Sequence, residues 1–138
     1  MSTNTILVIE DDADVRLGYQ VLLKAHGYAT CFAVDSLSAI SEARKHEPDL
    51  IILDLGLPAG DGYIVLDRFR ANMHLATTPV IVVSAREQRG NKERALEKGA
   101  RAYLQKPWND DVLLGLIRQL LGESVGSASS ASASGARS

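Results

Sequence analysis

Four carboxylates, one hydroxyl and one ammonium follow short apolar runs of the sequence. These residues are Glu10, Asp11, Asp12, Asp54, Ser84 and Lys106. Carboxylate oxygens are ligands that hard divalent cations such as Mg²⁺ prefer. A carboxylate can also act as a nucleophile, while a hydroxyl and an ammonium can bind the oxygens of a phosphoryl group. This set could therefore bind a cation and handle phosphate, provided that the fold brings its members together.

The charges of this set indicate how it would be balanced. Two carboxylates about 4 Å apart repel by roughly 4 kcal/mol at an effective dielectric near 20, so several of them need a counter-charge. Lys106 supplies one positive charge, and Mg²⁺ is the natural second. We predict Asp11 as a direct ligand, Glu10 as a direct or water-mediated ligand, and Asp54 as a ligand through one oxygen. As single residues, the acids at 10–12 would indicate a capped helix start with solvated charges, Ser84 a turn residue at the end of a strand, and Lys106 a solvated side chain.

The apolar runs are the elements that would position these side chains. Runs at residues 6–9, 50–53, 80–83 and 102–104 are compact enough for strands covered on both faces, and 28–33 indicates an edge strand. Segments with helical periodicity lie between them. Candidate helix caps are Asp14, Asp35, Asp61 and Asn109, and candidate helix stops are Gly27, Gly99 and Gly122.

Alternation of five strands with five helices predicts an α/β fold, a doubly wound five-stranded parallel sheet with right-handed crossovers. In such sheets, ligands bind at the carboxyl ends of the strands, where the strand order reverses. All six residues of the set lie at that edge, so residues distant in sequence would converge. The Lys106–Pro107 peptide bond is a candidate cis bond, although trans is the commoner form.

Composition limits the alternatives. The 138 residues, 46% of them hydrophobic, suit one domain, which we place at 1–123, and the Ser/Ala/Gly-rich segment 124–138 is predicted to be a disordered tail or linker. A formal net charge of −2 gives no overall field that favours nucleic acid or an anionic membrane. The single Cys31 is expected to be a buried thiol in a reducing cytoplasm, because the sequence has no signal peptide and no apolar span that could cross a bilayer.

Four motifs carry a resemblance to a known family: Ile-Leu-Val-Ile-Glu-Asp-Asp, Asp-Leu-Gly-Leu-Pro-Ala-Gly-Asp-Gly, Val-Ile-Val-Val-Ser-Ala and Tyr-Leu-Gln-Lys-Pro-Trp. Each motif alone is weak, but all four occur in order and at the family's spacing. Over residues 4–122 the chain resembles the CheY-like receiver domain of two-component response regulators. This family has the flavodoxin-like strand order 2-1-3-4-5, which is the order that we predict.

The resemblance implies a role for each matching residue. Glu10 and Asp11 correspond to the acidic pair, Asp54 to the phosphoacceptor, Gly56 to a backbone carbonyl ligand of Mg²⁺, Ser84 to the switch hydroxyl, Tyr103 to the switch aromatic and Lys106 to the phosphate-sensing lysine. The phosphoryl donor would be a phosphohistidine on a sensor histidine kinase or a histidine phosphotransfer protein. Phosphorylation would then reshape the face formed by residues 86–103 for an unidentified protein partner. A domain of this kind catalyses only its own phosphorylation and dephosphorylation, and it makes no direct contact with nucleic acid or membrane.

Other functions remain as alternatives. The chain could be a receiver module of a longer regulator with an output domain. A phosphatase of the haloacid-dehalogenase type also uses an aspartyl nucleophile, but it usually carries a second Asp two positions on, where this chain has Gly56. A carrier of flavin mononucleotide would need a phosphate-binding loop after the first strand, where acids would repel phosphate, and a calcium-binding loop from Asp54 lacks the closing Glu.

Two departures from common family patterns concern the region before Tyr103. Regulators with a winged-helix output commonly have an acidic pair there, whereas this chain has Arg101 and Ala102, which puts their typical dimer in doubt. Residues 86–101 also carry six basic side chains. They could form a solvated helix face or a docking surface for an acidic partner.

Overall fold

The computed structural model describes residues 3–58 and 61–123 of the chain. Strands and helices alternate throughout. The strands are β1 (Thr5–Ile9), β2 (Ala29–Ala33), β3 (Leu50–Leu53), β4 (Val80–Ser84) and β5 (Ala102–Gln105). The helices are α1 (Ala13–Ala25), α2 (Ser36–His46), α3 (Gly62–Ala71), α4 (Gln88–Glu97) and α5 (Asp110–Leu120). The predicted five-fold alternation is confirmed.

The five strands form one parallel sheet in the order β2-β1-β3-β4-β5, as predicted. The strand β2 lies at an edge, which agrees with its weaker apolar pattern. All residues of β3, and those of β1 from Ile6 to Ile9, are buried. Such continuous burial explains why these runs contain only aliphatic residues, since side chains on both faces of each strand are covered.

Three of the four predicted N-caps are confirmed, and one is wrong. Asp35, Asp61 and Asn109 each accept a hydrogen bond from a backbone N–H in the first turn of the following helix. At α1, however, the cap is Asp12, whose Oδ1 accepts from Asp14 N at 2.8 Å. Asp14 already lies inside the helix, where its charge faces the positive end of the helix dipole. Sequence could not separate these two acids because either one suits a cap.

The helix stops are also confirmed: Gly27, Gly99 and Gly122 follow their helices with positive φ. The helix α4 contains a break that the sequence analysis did not anticipate. Arg89 has extended ψ, and Gly90 has φ +79°, so the regular part of α4 begins only after Gly90. Glycine adopts this left-handed conformation without the penalty that a side chain would add.

The chain divides into two compact units, Met1–Pro107 and Trp108–Ser138. The first contains the whole sheet, with α1 packed on β2, α2 on β1, β2 and α3, and α4 on β5. The second contains α5, on which Leu113, Leu114 and Ile117 are buried. A single domain over residues 1–123 therefore stays a prediction, and the predicted tail at 124–138 lies outside the described residues. No helix in the described part of the chain combines the length and the apolar character needed to cross a membrane.

Candidate functional site

Strand register brings the acidic residues together. Ile9 of β1 lies opposite Leu53 of β3, so Glu10 and Asp54 each come one residue after a paired position. The Asp54 N–H donates to the Ile9 carbonyl at 3.0 Å, which extends the ladder into the site. Both acids therefore leave the sheet at the same edge, as the sequence predicted.

Glu10, Asp11 and Asp54 form a cluster in which one carboxylate oxygen from each lies within 4.8 Å of the others. Residue burial differs sharply: Glu10 is 2% exposed and Asp54 is 9% exposed, whereas Asp11 is exposed. Asp12 is not part of the cluster because its side chain caps α1. Its backbone N–H nevertheless donates to Glu10 Oε2 at 3.1 Å, which helps to fix the buried carboxylate.

Lys106 supplies the predicted counter-charge from the other side of the site. Its Nζ donates to Glu10 Oε1 at 2.8 Å and to Asp54 Oδ2 at 3.2 Å. Its backbone N–H donates to the Ser84 carbonyl at 2.8 Å, so the residue is tied to β4 as it leaves β5. The peptide bond between Lys106 and Pro107 is cis.

The cluster combines three acidic groups with one basic group. Burial raises the pKa of Glu10, although the hydrogen bonds from Lys106 and from the Asp12 N–H oppose this shift. Burial alone would lower the pKa of Lys106, but the hydrogen bond to Glu10 and the charge of Asp54 outweigh it and raise that pKa. Lys106 therefore keeps its proton, and it is one cation beside three carboxyl groups. One exposed and two buried carboxylates offer oxygen atoms as ligands, which suits a hard divalent cation.

The backbone around Asp54 is tightly arranged. The Gly56 N–H donates to Asp54 Oδ1 at 3.1 Å, so both carboxylate oxygens of Asp54 have a donor. Whether the Gly56 carbonyl also binds a cation stays a prediction. Gly62, at the first position of α3, approaches even more closely: a Cβ there would lie 2.6 Å from Leu55 Cα and 2.7 Å from the Asp54 carbonyl oxygen. Gly62 is the last residue of the second sequence motif, from which no role for it was predicted.

Ser84 and Tyr103 meet at the backbone of Arg86. Ser84 is 1% exposed, and its Oγ accepts from the Arg86 N–H at 3.1 Å. The Tyr103 hydroxyl donates to the Arg86 carbonyl at 2.8 Å, with the ring almost fully buried. Burial raises the pKa of Tyr103, while a hydrogen bond with Ser84 opposes the shift. The two predicted switch residues are therefore linked, although their switching stays a prediction.

A second cluster, between α3 and the start of α4, was missed by the sequence analysis. Arg86 Nη2 donates to Asp61 Oδ2 at 2.9 Å, and the Tyr63 hydroxyl donates to Asn91 Oδ1 at 2.6 Å. The guanidinium carbon of Arg94 lies 3.9 Å from the centre of the Tyr63 ring, a cation–π contact. Asp61 was read only as a cap, and no local pattern pairs residues so far apart in sequence.

The same contacts bear on the basic run of residues 86–101. Arg86 and Arg94 have the partners just described, and Lys98 pairs with Asp67 of α3, with Nζ 2.9 Å from Oδ1. Part of the predicted solvated face is thus engaged within the protein. Docking of an acidic partner to the remaining basic residues stays a prediction.

Comparison with known proteins identifies the family. A family model described as the response regulator receiver domain matches residues 6–118. The chain belongs to this family. Receiver domains are signalling domains of two-component systems, and they interact with sensor kinases and phosphotransfer proteins in general. The four motifs in the sequence had predicted this membership.

Three relatives show how the receiver domain of this chain compares with others. The transcriptional regulatory protein YxdJ of Bacillus subtilis (strain 168) is 32% identical over 123 residues, which are 89% of this chain and 52% of YxdJ, so the chain spans about half of that relative. The polar-differentiation response regulator DivK of Brucella ovis is 32% identical over 121 residues, 88% of this chain and 98% of DivK. The receiver domain of the sensor histidine kinase PA1611 from Pseudomonas aeruginosa PAO1, solved with a magnesium ion in its active-site cleft, is 27% identical, with a TM-score of 0.80 over 88% of this chain and 100% of that one.

Proposed function

We propose that the chain is a phosphorylation-dependent switch in which Asp54 accepts a phosphoryl group with the help of Mg²⁺. The observation that carries the proposal is the ammonium of Lys106, which joins Glu10 and Asp54 within a cluster of carboxylates. Burying a lone carboxylate is costly, but here the Lys106 ammonium lies beside Asp54. A carboxylate with a cation at hydrogen-bonding distance is suited to accept a phosphoryl group.

Glu10, Asp11 and Asp54 would hold Mg²⁺ through carboxylate oxygens, with the Gly56 carbonyl as a further ligand. The ion supplies positive charge that offsets the oxygens of the transferring phosphoryl group. The donor is a phosphohistidine of a sensor kinase or a histidine phosphotransfer protein. A carboxylate oxygen of Asp54 attacks phosphorus, the P–N bond breaks, and its electron pair returns to the imidazole of the donor. Lys106 and the Ser84 hydroxyl then bind phosphoryl oxygens.

The phosphoryl group changes the charge at Asp54 from −1 to nearly −2. This added charge favours the arrangement in which Ser84 and Lys106 donate to phosphoryl oxygens, so it shifts a population between two states of residues 86–103. Ser84 is joined to this face through the backbone N–H of Arg86. The altered face is what a protein partner would recognise, and the domain has no catalytic output beyond its own phosphorylation and dephosphorylation.

This function suits a protein that works in the cytoplasm, with residues 1–123 acting as one signalling domain. Two organisations agree with the relatives: a single-domain regulator like DivK in extent, or the receiver part of a longer regulator as in YxdJ. In either case the receiver domain would accept a phosphoryl group from a kinase or phosphotransfer protein and then bind another protein domain.

Intact-mass measurement tests the proposal. The wild-type chain and Asp54→Asn are incubated with acetyl phosphate, each with Mg²⁺ and with a chelator. We expect one phosphate adduct per chain, only on the wild type and only with Mg²⁺. No adduct on the wild type, or equal adducts on both chains, would overturn the assignment of Asp54. Continuous release of phosphate over many turnovers would instead favour the phosphatase alternative.

A further inference from the structure

The carboxylate of Asp61 makes two different contacts with its two oxygens. Oδ1 accepts from the Tyr63 N–H at 2.9 Å and so caps α3, while Oδ2 accepts from Arg86 Nη2 at 2.9 Å. About two fifths of each paired side chain is exposed, 39% for Asp61 and 37% for Arg86. Asp61 therefore fixes the guanidinium of a residue in the β4–α4 connection from the start of α3.

Arg86 lies next to the phosphoryl-transfer site on two sides. Its backbone N–H donates to Ser84 Oγ, and Nη2 lies 3.4 Å from the carbonyl oxygen of Leu55, the residue after Asp54. In this geometry the side chain of Arg86 is directed to Asp61. A phosphoryl group on Asp54, with a charge of nearly −2, would compete with the single charge of Asp61 for this guanidinium.

We propose that Asp61 is a positioning residue that holds the Arg86 guanidinium away from the phosphoryl group and so shortens the lifetime of the phosphorylated state. The inference rests on the proposed function, since it concerns phosphoryl-Asp54. Within the described part of the chain, Asp61 makes no hydrogen bond or ion pair with Glu10, Asp11 or Asp54, so it would act through Arg86.

Hydrolysis of the aspartyl phosphate is the step that the Asp61–Arg86 pair controls. A water oxygen attacks phosphorus, the bond from phosphorus to the Asp54 oxygen breaks, and its electron pair restores the carboxylate. Both water protons leave with the product, dihydrogen phosphate. A guanidinium seated on the phosphoryl oxygens would occupy the space and the hydrogen-bonding sites at which water approaches. While Arg86 stays on Asp61, the approach remains open.

A comparison of two variants separates this role from a purely structural one. Asp61→Asn keeps an N-cap acceptor but removes the charge that holds Arg86, whereas Arg86→Met breaks the same ion pair and leaves no cation. After phosphorylation with acetyl phosphate and removal of the donor, the phosphate adduct is followed by intact mass. We expect Asp61→Asn to lengthen the half-life about 1.4-fold to fivefold, the range set by one partly exposed ion pair. Arg86→Met should not lengthen it, and the double variant should match Arg86→Met.

Asp67→Asn is the matched control. It removes the negative charge from a different ion pair, which joins Asp67 of α3 to Lys98 at the end of α4. It should leave the half-life unchanged. The proposal is overturned if Asp61→Asn has the wild-type half-life, or if Asp61→Asn and Arg86→Met lengthen it equally. Should Asp61→Asn fail to fold in a urea titration, Arg86→Met still decides, since a longer half-life without the cation contradicts the proposal. Adduct formation on the wild type and on Asp67→Asn tests phosphorylation separately, and its absence from both would remove the proposed function and this inference together.

Discussion

Replacing Gly62 with alanine tests whether the close approach of α3 to the phosphoacceptor loop is as tight as the structure shows. The added Cβ would lie 2.6 Å from Leu55 Cα and 2.7 Å from the Asp54 carbonyl oxygen, and both of these are backbone atoms. Ordinary contacts of a Cβ begin near 3.4 Å, so one of the two backbones must move by about 0.8 Å. The Gly62 N–H also donates to the Leu55 carbonyl at 2.8 Å, which resists that movement.

The magnitude follows from two opposing effects. Overpacking of a well-packed site costs about 1–3 kcal/mol, whereas exchanging glycine for alanine in a helix gains about 0.5–1 kcal/mol. We therefore expect Gly62→Ala to lose about 1–2 kcal/mol of unfolding free energy. Because the displaced atoms belong to Asp54 and its neighbour, the variant should also take up phosphate from acetyl phosphate more slowly than the wild type.

Gly18→Ala is the control, since Gly18 lies within α1 and a Cβ there would have nothing within 4 Å. This variant should gain about 0.5–1 kcal/mol and keep the wild-type rate of phosphate uptake. Urea unfolding of the three proteins gives the comparison. If Gly62→Ala were as stable as the wild type, or shifted in the same direction as Gly18→Ala, the inferred backbone contact would be refuted.

Three further predictions concern buried or paired charges. Lys106→Met should lose about 3 kcal/mol of unfolding free energy at pH 7, because it leaves the buried carboxylates of Glu10 and Asp54 without a counter-charge, and an unchanged urea midpoint would contradict this. Burial raises the pKa of Cys31 to about 11 from 9.0, so alkylation by iodoacetamide at pH 8 should be at least about 100-fold slower in the folded chain than in urea, and equal rates would show that the thiol is accessible. Burial alone would raise the pKa of Asp61, but its hydrogen bonds outweigh this and lower it, so its charge adds stability above pH 4, roughly its unfolded pKa. Asp61→Asn should therefore cost up to about 1 kcal/mol at pH 7, and this difference should vanish as the pH falls through the folded pKa, whereas a difference that persists at pH 2 would contradict the assignment.

The sequence predicted the fold well because its determinants are local. A run such as Leu50–Leu53 is buried on both faces, so its composition alone marks it as a central strand. Glycines with positive φ and short polar caps mark helix ends in the same local way. The exception at α1 is instructive, since Asp12 and Asp14 are both suitable caps and only the path of the backbone decides between them.

The sequence predicted the site residues that follow strands, but not the contact between Asp61 and Arg86. Glu10, Asp54 and Lys106 each follow a strand, so strand order alone predicts that they meet. The ion pair of Asp61 with Arg86 depends instead on how α3 lies against the β4–α4 connection, which no pattern of period two or 3.6 encodes. From the local sequence, Asp61 is interpreted as a helix cap and Arg86 as a solvated cation. Neither interpretation predicts the contact between them.

Arg86 is the point at which these two groups of residues join. Its N–H donates to Ser84, its carbonyl accepts from Tyr103, and its side chain is held by Asp61. A hydroxyl has one donor and two acceptor positions, so Ser84 can donate to a phosphoryl oxygen and still accept from the Arg86 N–H. Movement of Ser84 toward phosphoryl-Asp54 would then draw the backbone of Arg86 with it and stretch the contacts at its carbonyl and side chain. A stronger Asp61 contact would therefore oppose this movement more strongly. The lifetime of the phosphorylated state and the size of the conformational response would then depend on the same contact.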